Sequence, residues 1–285
     1  MDKNPFSLYD FLGYFIPGSF ALYLIILAQN PNGFVSYFDL NCIQYLTNDI
    51  SFIYIIFFII VAYILGHTLS FISTLTVENF TIWLLGYPSK NLLGVKRGKY
   101  FSKKIENNRT LILQTILSYL FRSILLIILL PISIFVFSVG YFLGINYTAF
   151  SKDIKEPYID MIKCKISVLF SNHNKVIDIH KDDFHKYLIH YCYDKCPSHQ
   201  SKLMNYVALY GFLRVITLIL NFFSVFQLCN LLMNYKLNIN EGSIIPLLIF
   251  ISTSFITYIS YLSYLKFYRR YSQENLMILL LINDV

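Results

Sequence analysis

Polar residues along this chain are grouped between long apolar runs rather than alternating within them. A helix that crosses the hydrocarbon core of a bilayer needs about 20 mostly apolar residues. Runs at 11–28, 52–72, 206–233 and 244–265 fit that requirement, and a further run at 111–150 is long enough for two crossings. The first holds Pro17-Gly18, a pair that should kink or break its helix, because proline lacks the N–H and glycine frees the backbone. The run at 52–72 has no formal charge between Asp49 and Glu78. The run at 206–233 contains Arg214, and the last ends in Lys266, Arg269 and Arg270.

The 111–150 run allows two readings. Arg122 interrupts it and Pro131 falls at its centre. It is either an amphipathic approach helix followed by one span, or a hairpin turning at Leu130-Pro131-Ile132-Ser133, a turn of little polarity. Charge asymmetry weighs between them. Residues 29–50 carry Asp39 and Asp49 but no Lys or Arg, which places them outside. Residues 78–110 carry Lys90, Lys96, Arg97, Lys99, Lys103, Lys104 and Arg109 against Glu78 and Glu106, which places them in the cytosol. A hairpin gives six spans, with both termini and every basic segment cytosolic. A single span gives five and leaves one basic segment on the wrong face. The pattern therefore predicts an all-α, polytopic membrane bundle of six spans, with five kept open. Its divisions are a first transmembrane pair (1–76), a basic cytosolic loop (77–110), the apolar hairpin or single span (111–150), a cytosolic regulatory region (151–203), and a C-terminal transmembrane pair with a basic tail (204–285).

The regulatory region is nearly balanced in charge, with nine Lys and seven acidic residues across 151–202. It is too short to build a large core alone. Two or three helices, or a small mixed α/β unit around 166–179, suit it.

Composition agrees with the runs. Hydrophobic residues make up 56% and charged residues 14% of the 285 positions, where soluble domains carry about 25% charged residues. The 24 Tyr and 26 Phe suit a bilayer, which accepts Phe in its core and Tyr at its interfaces. The net charge of +7 reads first as cytosolic loops facing anionic lipid and second as contact with nucleic acid. Five scattered cysteines suggest reduced thiols. The N-terminal segment lacks a secretory cleavage pattern. The expected setting is a membrane.

Candidate chemistry is sparse. There is no P-loop, no G-x-G-x-x-G, no H-E-x-x-H and no G-x-S-x-G, so neither an enzyme nor a bound cofactor is expected. His190, Cys192, Cys196 and His199 are dense in zinc-type ligands but match no standard spacing, and a polar helix with its cysteines turned to a core is the favoured reading. His67, Arg122 and Arg214 are polar groups inside apolar runs, which cost free energy unless they pair, reach the interface or meet water. Each is either a lining group of a conduction path or a packing element; for the arginines, the border acids Asp10 and Glu78 are the available partners. In the basic loop, Lys96, Arg97, Lys99, Tyr100, Lys103, Lys104 and Arg109 interleave cations with an aromatic ring. That suits a nucleotide or oligonucleotide ligand, and equally an anionic membrane surface.

Three stretches together carry a resemblance: Tyr9-Asp10-Phe11-Leu12-Gly13-Tyr14-Phe15-Ile16-Pro17-Gly18; Gly66-His67-Thr68-Leu69-Ser70 with Glu78 and Gly86-Tyr87-Pro88-Ser89; and Leu209-Tyr210-Gly211-Phe212-Leu213-Arg214 with Tyr268-Arg269-Arg270-Tyr271. The chain resembles small bacterial multi-span proteins linked to anti-phage defence, and among these the membrane channel of the Hailong system. The resemblance implies a homo-oligomeric channel that depolarises the cell, with a nucleotidyltransferase partner supplying a controlling ligand. A non-conducting membrane anchor that recruits a cytosolic partner is the alternative.

Overall fold

A computed structural model describes residues 10–29, 52–95, 100–101, 109–146, 154, 156–171, 184–236 and 244–282. Every regular element among the described residues is helical. A π-helical turn, Phe11–Phe15, runs into α1 (Ile16–Gln29). Helix α2 (Phe52–Ser73) continues through a second π turn, Thr74–Glu78, into α3 (Asn79–Leu85), and α4 (Pro88–Leu92) follows after Gly86, whose positive φ ends the run. Helices α5 (Arg109–Ile128) and α6 (Leu130–Phe135) meet at a sharp bend, and α6 passes into a third π turn, Val136–Gly140. Two amphipathic helices, α7 (Glu156–Ser171) and α8 (Phe184–Lys195), precede the long pair α9 (Pro197–Lys236) and α10 (Ile244–Leu281).

Among the described residues three helices are long and apolar enough to cross a membrane: Phe52–Leu92, Pro197–Met233 and Leu247–Leu281. The pair Leu113–Ile128 and Leu130–Gly140 counts as a fourth if taken as one bent span, and Phe11–Ile26 is a shorter apolar helix. The chain is an all-α, membrane-embedded protein with several spanning helices. This count does not single out six.

Helices α9 and α10 have 40 and 38 residues. At about 1.5 Å per residue they approach 60 Å, against a hydrocarbon core of about 30 Å. Each therefore outruns the lipid, and the projecting part carries a second core. The first core joins the spans through Phe80, Leu125, Leu129, Val215, Leu218, Tyr261 and their neighbours. The second joins α7 and α8 to the projecting ends of α9 and α10 through Ile162, Ile166, Leu188, Leu203, Leu276 and Leu279.

Several expectations change. Pro17-Gly18 does not break its helix. The π turn just before it shifts the hydrogen-bond register, one of the ways a helix accommodates a missing N–H. Gly18 serves contact instead: a Cβ there would strike the backbone of Ala62 and Gly66, and one on Gly66 would strike the backbone of Tyr14. Such close crossings are how small residues pack helices in lipid. The turn expected near Pro131 is an 89° bend rather than a reversal. The carbonyls it frees are used, with Ser133 Oγ donating to Leu126 O (3.3 Å) and Asn221 Nδ2 donating to Ile128 O (2.9 Å). The basic tail is no loose end, since α10 continues past Arg270 and buries Leu276, Ile278 and Leu279. Residues 156–171 of the polar region are helical, while 172–183, which include part of the possible α/β unit, lie outside the described residues.

Candidate functional site

The most concentrated chemistry lies where the two cores meet. Arg214, on α9, is 9% exposed. Its guanidinium pairs with the Glu78 carboxylate and donates through Nε to Ser73 Oγ at 3.0 Å. Glu78 ends the π turn that follows α2, and Ser73 is the last residue of α2. The turn advances the helical register by one extra residue, and both oxygens reach the same guanidinium. The arginine, which would be costly alone in lipid, is thus neutralised within the protein.

The Glu78 carboxylate also lines a cleft of about 340 Å³. Its lining is drawn from the π turn and α3, from Tyr87, Ser89 and Lys90, from Tyr268 on α10, and from Phe184, His185 and Lys186 at the start of α8. Phe184 is buried in the second core, and this fixes the start of α8 over the opening. His185 is partly buried and its Nδ1 is shielded from solvent without a hydrogen-bond partner. Burial pushes its pKa down to about 4, so the imidazole is neutral at ordinary pH.

The other intramembrane groups have partners of different kinds. Arg122 donates to Tyr100 O and lies 4.8 Å over the Trp83 ring, while the Tyr100 hydroxyl donates to Arg122 O at 3.1 Å. Tyr100 is thereby buried, and burial pushes its pKa up to about 12 despite the nearby Arg122 charge. Its ring packs on Phe80, Trp83 and Phe101. Lys96, Arg97, Lys99, Lys103 and Lys104 lie outside the described residues, as does the side chain of Arg109. His67 stacks on Tyr14 with ring centroids 3.7 Å apart and meets Tyr63 edge-on. It sits at the α1–α2 crossing.

The His/Cys segment is dispersed by its helices. Cys192 is buried and its Sγ donates to Asn275 O at 3.4 Å; burial and the neighbouring Cys196 push its thiol up to about 12. His199 faces Glu274 at 3.2 Å, and Lys202 pairs with the same carboxylate at 2.7 Å. His190 lies on α8. Among the described residues no three His, Cys, Asp or Glu side chains gather as a metal site.

Sequence reasoning marked Glu78 as a partner for a buried arginine but missed the cleft. Its walls come from residues about 100 positions apart, and only the π turn at Glu78 and the docking of Phe184 bring them together. No protein-family model, no curated protein and no solved structure matches this chain.

Proposed function

We propose that the chain is a non-enzymatic effector of a bacterial inner membrane. In this reading several copies form an ion path, and a ligand or partner acting on the projecting end controls it. The projecting end is cytosolic. Helix α1 leads outward and α2 returns, the bent α5–α6 pair dips into the membrane and comes back, and α9 and α10 repeat the excursion. This gives the basic segments the same side as six full spans would, without a water-facing turn at Pro131. Depolarisation in anti-phage defence, under a nucleotide or oligonucleotide made by a partner nucleotidyltransferase, is the setting implied by the family resemblance.

The observation that carries the reading is the double use of Glu78: one carboxylate holds Arg214 inside the bundle and faces a cleft walled by the cytosolic helix α8. A change at α8 can therefore reach the spans through a single ionic contact. The outward apolar surface of α2, with Phe52, Ile53, Tyr54 and Phe57 all exposed, offers area for neighbouring copies. Planar-bilayer recording of the purified protein tests this. Conductance that responds to an added nucleotide and is altered in Glu78→Gln supports the reading; silence under every condition counts against it.

A scaffold that does not conduct is favoured by one observation. Arg214 and Arg122 are both engaged by groups of their own chain, as packing elements would be. In that case Glu78→Gln lowers stability and there is no ion selectivity to alter.

A further inference from the structure

We propose that the interface between α9 and α10 takes up water inside the spans, forming a wet polar seam that leads from the Arg214–Glu78 pair into the membrane. The inference goes beyond the reading above and does not depend on it, because hydration is a property of a single copy.

The seam follows from spacing. On α9, Arg214, Thr217, Asn221, Ser224 and Gln227 recur every three or four residues, and all are buried. One face of the helix therefore carries them, over about 20 Å of its axis. On α10, Ser254, Thr257, Ser260 and Tyr264 follow the same spacing and are buried too. The two faces meet, with Thr217 on Ser260 at 3.1 Å and Ser224 on Thr257 at 3.3 Å.

Paired hydroxyls alone would be packing. A count of hydrogens shows more. Ser224 and Thr257 own one hydroxyl hydrogen each. Ser224 donates to Leu220 O at 2.9 Å, Thr257 donates to Thr253 O at 2.7 Å, and the two hydroxyl oxygens face each other as well. Two hydrogens serve three contacts, so one acceptor always goes without. The second observation is independent of that pair. Asn221 is fully buried; its Nδ2 donates to Ile128 O at 2.9 Å, and its Oδ1 has neither a partner nor solvent. Asn221 stands one turn from both Thr217 and Ser224, so this bare carbonyl belongs to the same stretch. Ser254 Oγ and Tyr264 OH, at the two ends of the α10 face, are buried without partners in the same way.

Buried polar atoms are nearly always satisfied, by protein or by water. The shortage at Asn221 and at the Ser224–Thr257 pair is of donors, and water brings two hydrogens. A bare cation would also meet acceptors, but the seam residues include no carboxylate to balance it in a low dielectric. Hydroxyl contacts between helices in membranes are weak, whereas an acceptor left bare in such surroundings is costly. Parting the contact to admit water is therefore the favoured exchange. Water also has a way in. Tyr264 lies within electrostatic reach of both Glu78 and Arg214, and Glu78 lines the cleft at the projecting end. Neutral oxygens with water between them stand in for the hydration shell of a small ion. In the channel reading, this puts the lining of the ion path on α9 and α10 of each copy and leaves the apolar face of α2 for contacts between copies.

The test is water-edited solid-state NMR on the full chain in phosphatidylcholine bilayers, which follows magnetisation from water into assigned Asn, Thr and Phe side chains. Transfer into Asn221 and Thr257 should be several-fold faster than into Phe222 and Phe255, their neighbours on the lipid-facing side. Asn221→Leu should slow transfer into Thr257 to the Phe222 rate. Should that variant misfold, Ser224→Ala takes its place and should slow the transfer by about twofold, since a buried water rests on about 2–4 polar partners and loses one. A dry seam, with Asn221 and Thr257 no faster than Phe222, overturns the proposal whether or not the protein conducts. So does fast transfer into Thr257 that neither substitution changes. A wet seam in a protein that never conducts would contradict the channel and leave this inference standing.

Discussion

The two ends of the α9–α10 pair obey opposite rules. Within the spans the polar residues face inward: Thr217, Asn221, Ser224, Ser254, Thr257 and Ser260 are buried, while Phe222, Phe226, Ile251, Phe255 and Ile259 face out. At the projecting end Leu203, Leu276, Ile278 and Leu279 are buried, and Lys202 lies outside. The outward faces of the same two helices are thus inverted along their length, while Val215, Leu218 and Tyr261 pack an apolar interior in the spans as Leu203, Leu276 and Leu279 do at the projecting end. In lipid no hydrophobic force drives helices together, so hydroxyls and amides meeting inside the bundle, such as Thr217 with Ser260 at 3.1 Å, hold the pair. In water the burial of apolar surface does that work. The inversion locates the change of solvent along the helices, and the Arg214–Glu78 pair lies near the crossover.

The largest effect should come from unpairing that charge. Glu78→Ala leaves Arg214 buried and uncompensated, at a cost of about 3–5 kcal/mol. Thermal unfolding in detergent should show a marked drop, and adding Arg214→Met should recover part of it. Purely additive losses would show that the pair does not couple the two ends. Next comes the α1–α2 crossing. Gly18→Val forces a side chain onto the backbone of α2 and should cost about 3 kcal/mol. Limited proteolysis should show α1 released while the projecting end stays protected.

Smaller changes should act on one end alone. Lys165 on α7 donates to Leu279 O and Leu280 O at 3.2 Å and to Ile282 O at 2.5 Å, capping the end of α10. Lys165→Met should cost about 1–2 kcal/mol, seen as faster hydrogen exchange at 276–282 with the spans unchanged. His185 gives a comparable, pH-dependent effect. Its folded pKa, about 4, lies below the unfolded value of about 6.5. Between these values the unfolded chain binds more protons, so stability falls as pH drops from about 6.5 toward 4, by roughly 1–3 kcal/mol at most. His185→Gln should flatten that slope; an unchanged slope would assign it to another group. The smallest effect belongs to the polar contacts within the bundle. Ser260→Ala should cost about 0.6 kcal/mol, the usual size of such contacts in membranes.

The spans were legible because lipid demands long apolar runs: those at 52–72 and 206–233 fall inside spanning helices, and that at 244–265 overlaps a third, Leu247–Leu281. What escaped was everything governed by water at the far end. The basic cluster Lys266, Arg269 and Arg270 looked like a terminus, although Leu276, Ile278, Leu279 and Ile282 beyond it fill the second core together with Ile162 and Leu188. The start of α9 was hidden in a polar stretch, yet Pro197 at its first turn is a recognised helix-start signal. The 111–150 run was ambiguous because periodicity cannot distinguish a reversal from a right-angle bend whose freed carbonyls are capped from another helix by Asn221. The cleft was illegible for a related reason: no local pattern links Lys90 to Lys186.

The inversion can be tested on one helix with two spin labels. Met204 and Phe222, both on α9, are 42% and 41% exposed, and lie about 27 Å apart along the axis. With the protein in lipid nanodiscs, a label at Phe222→Cys should be relaxed by oxygen and shielded from a water-soluble nickel chelate, and one at Met204→Cys should show the reverse. Equal access of the nickel chelate to both positions would contradict the account.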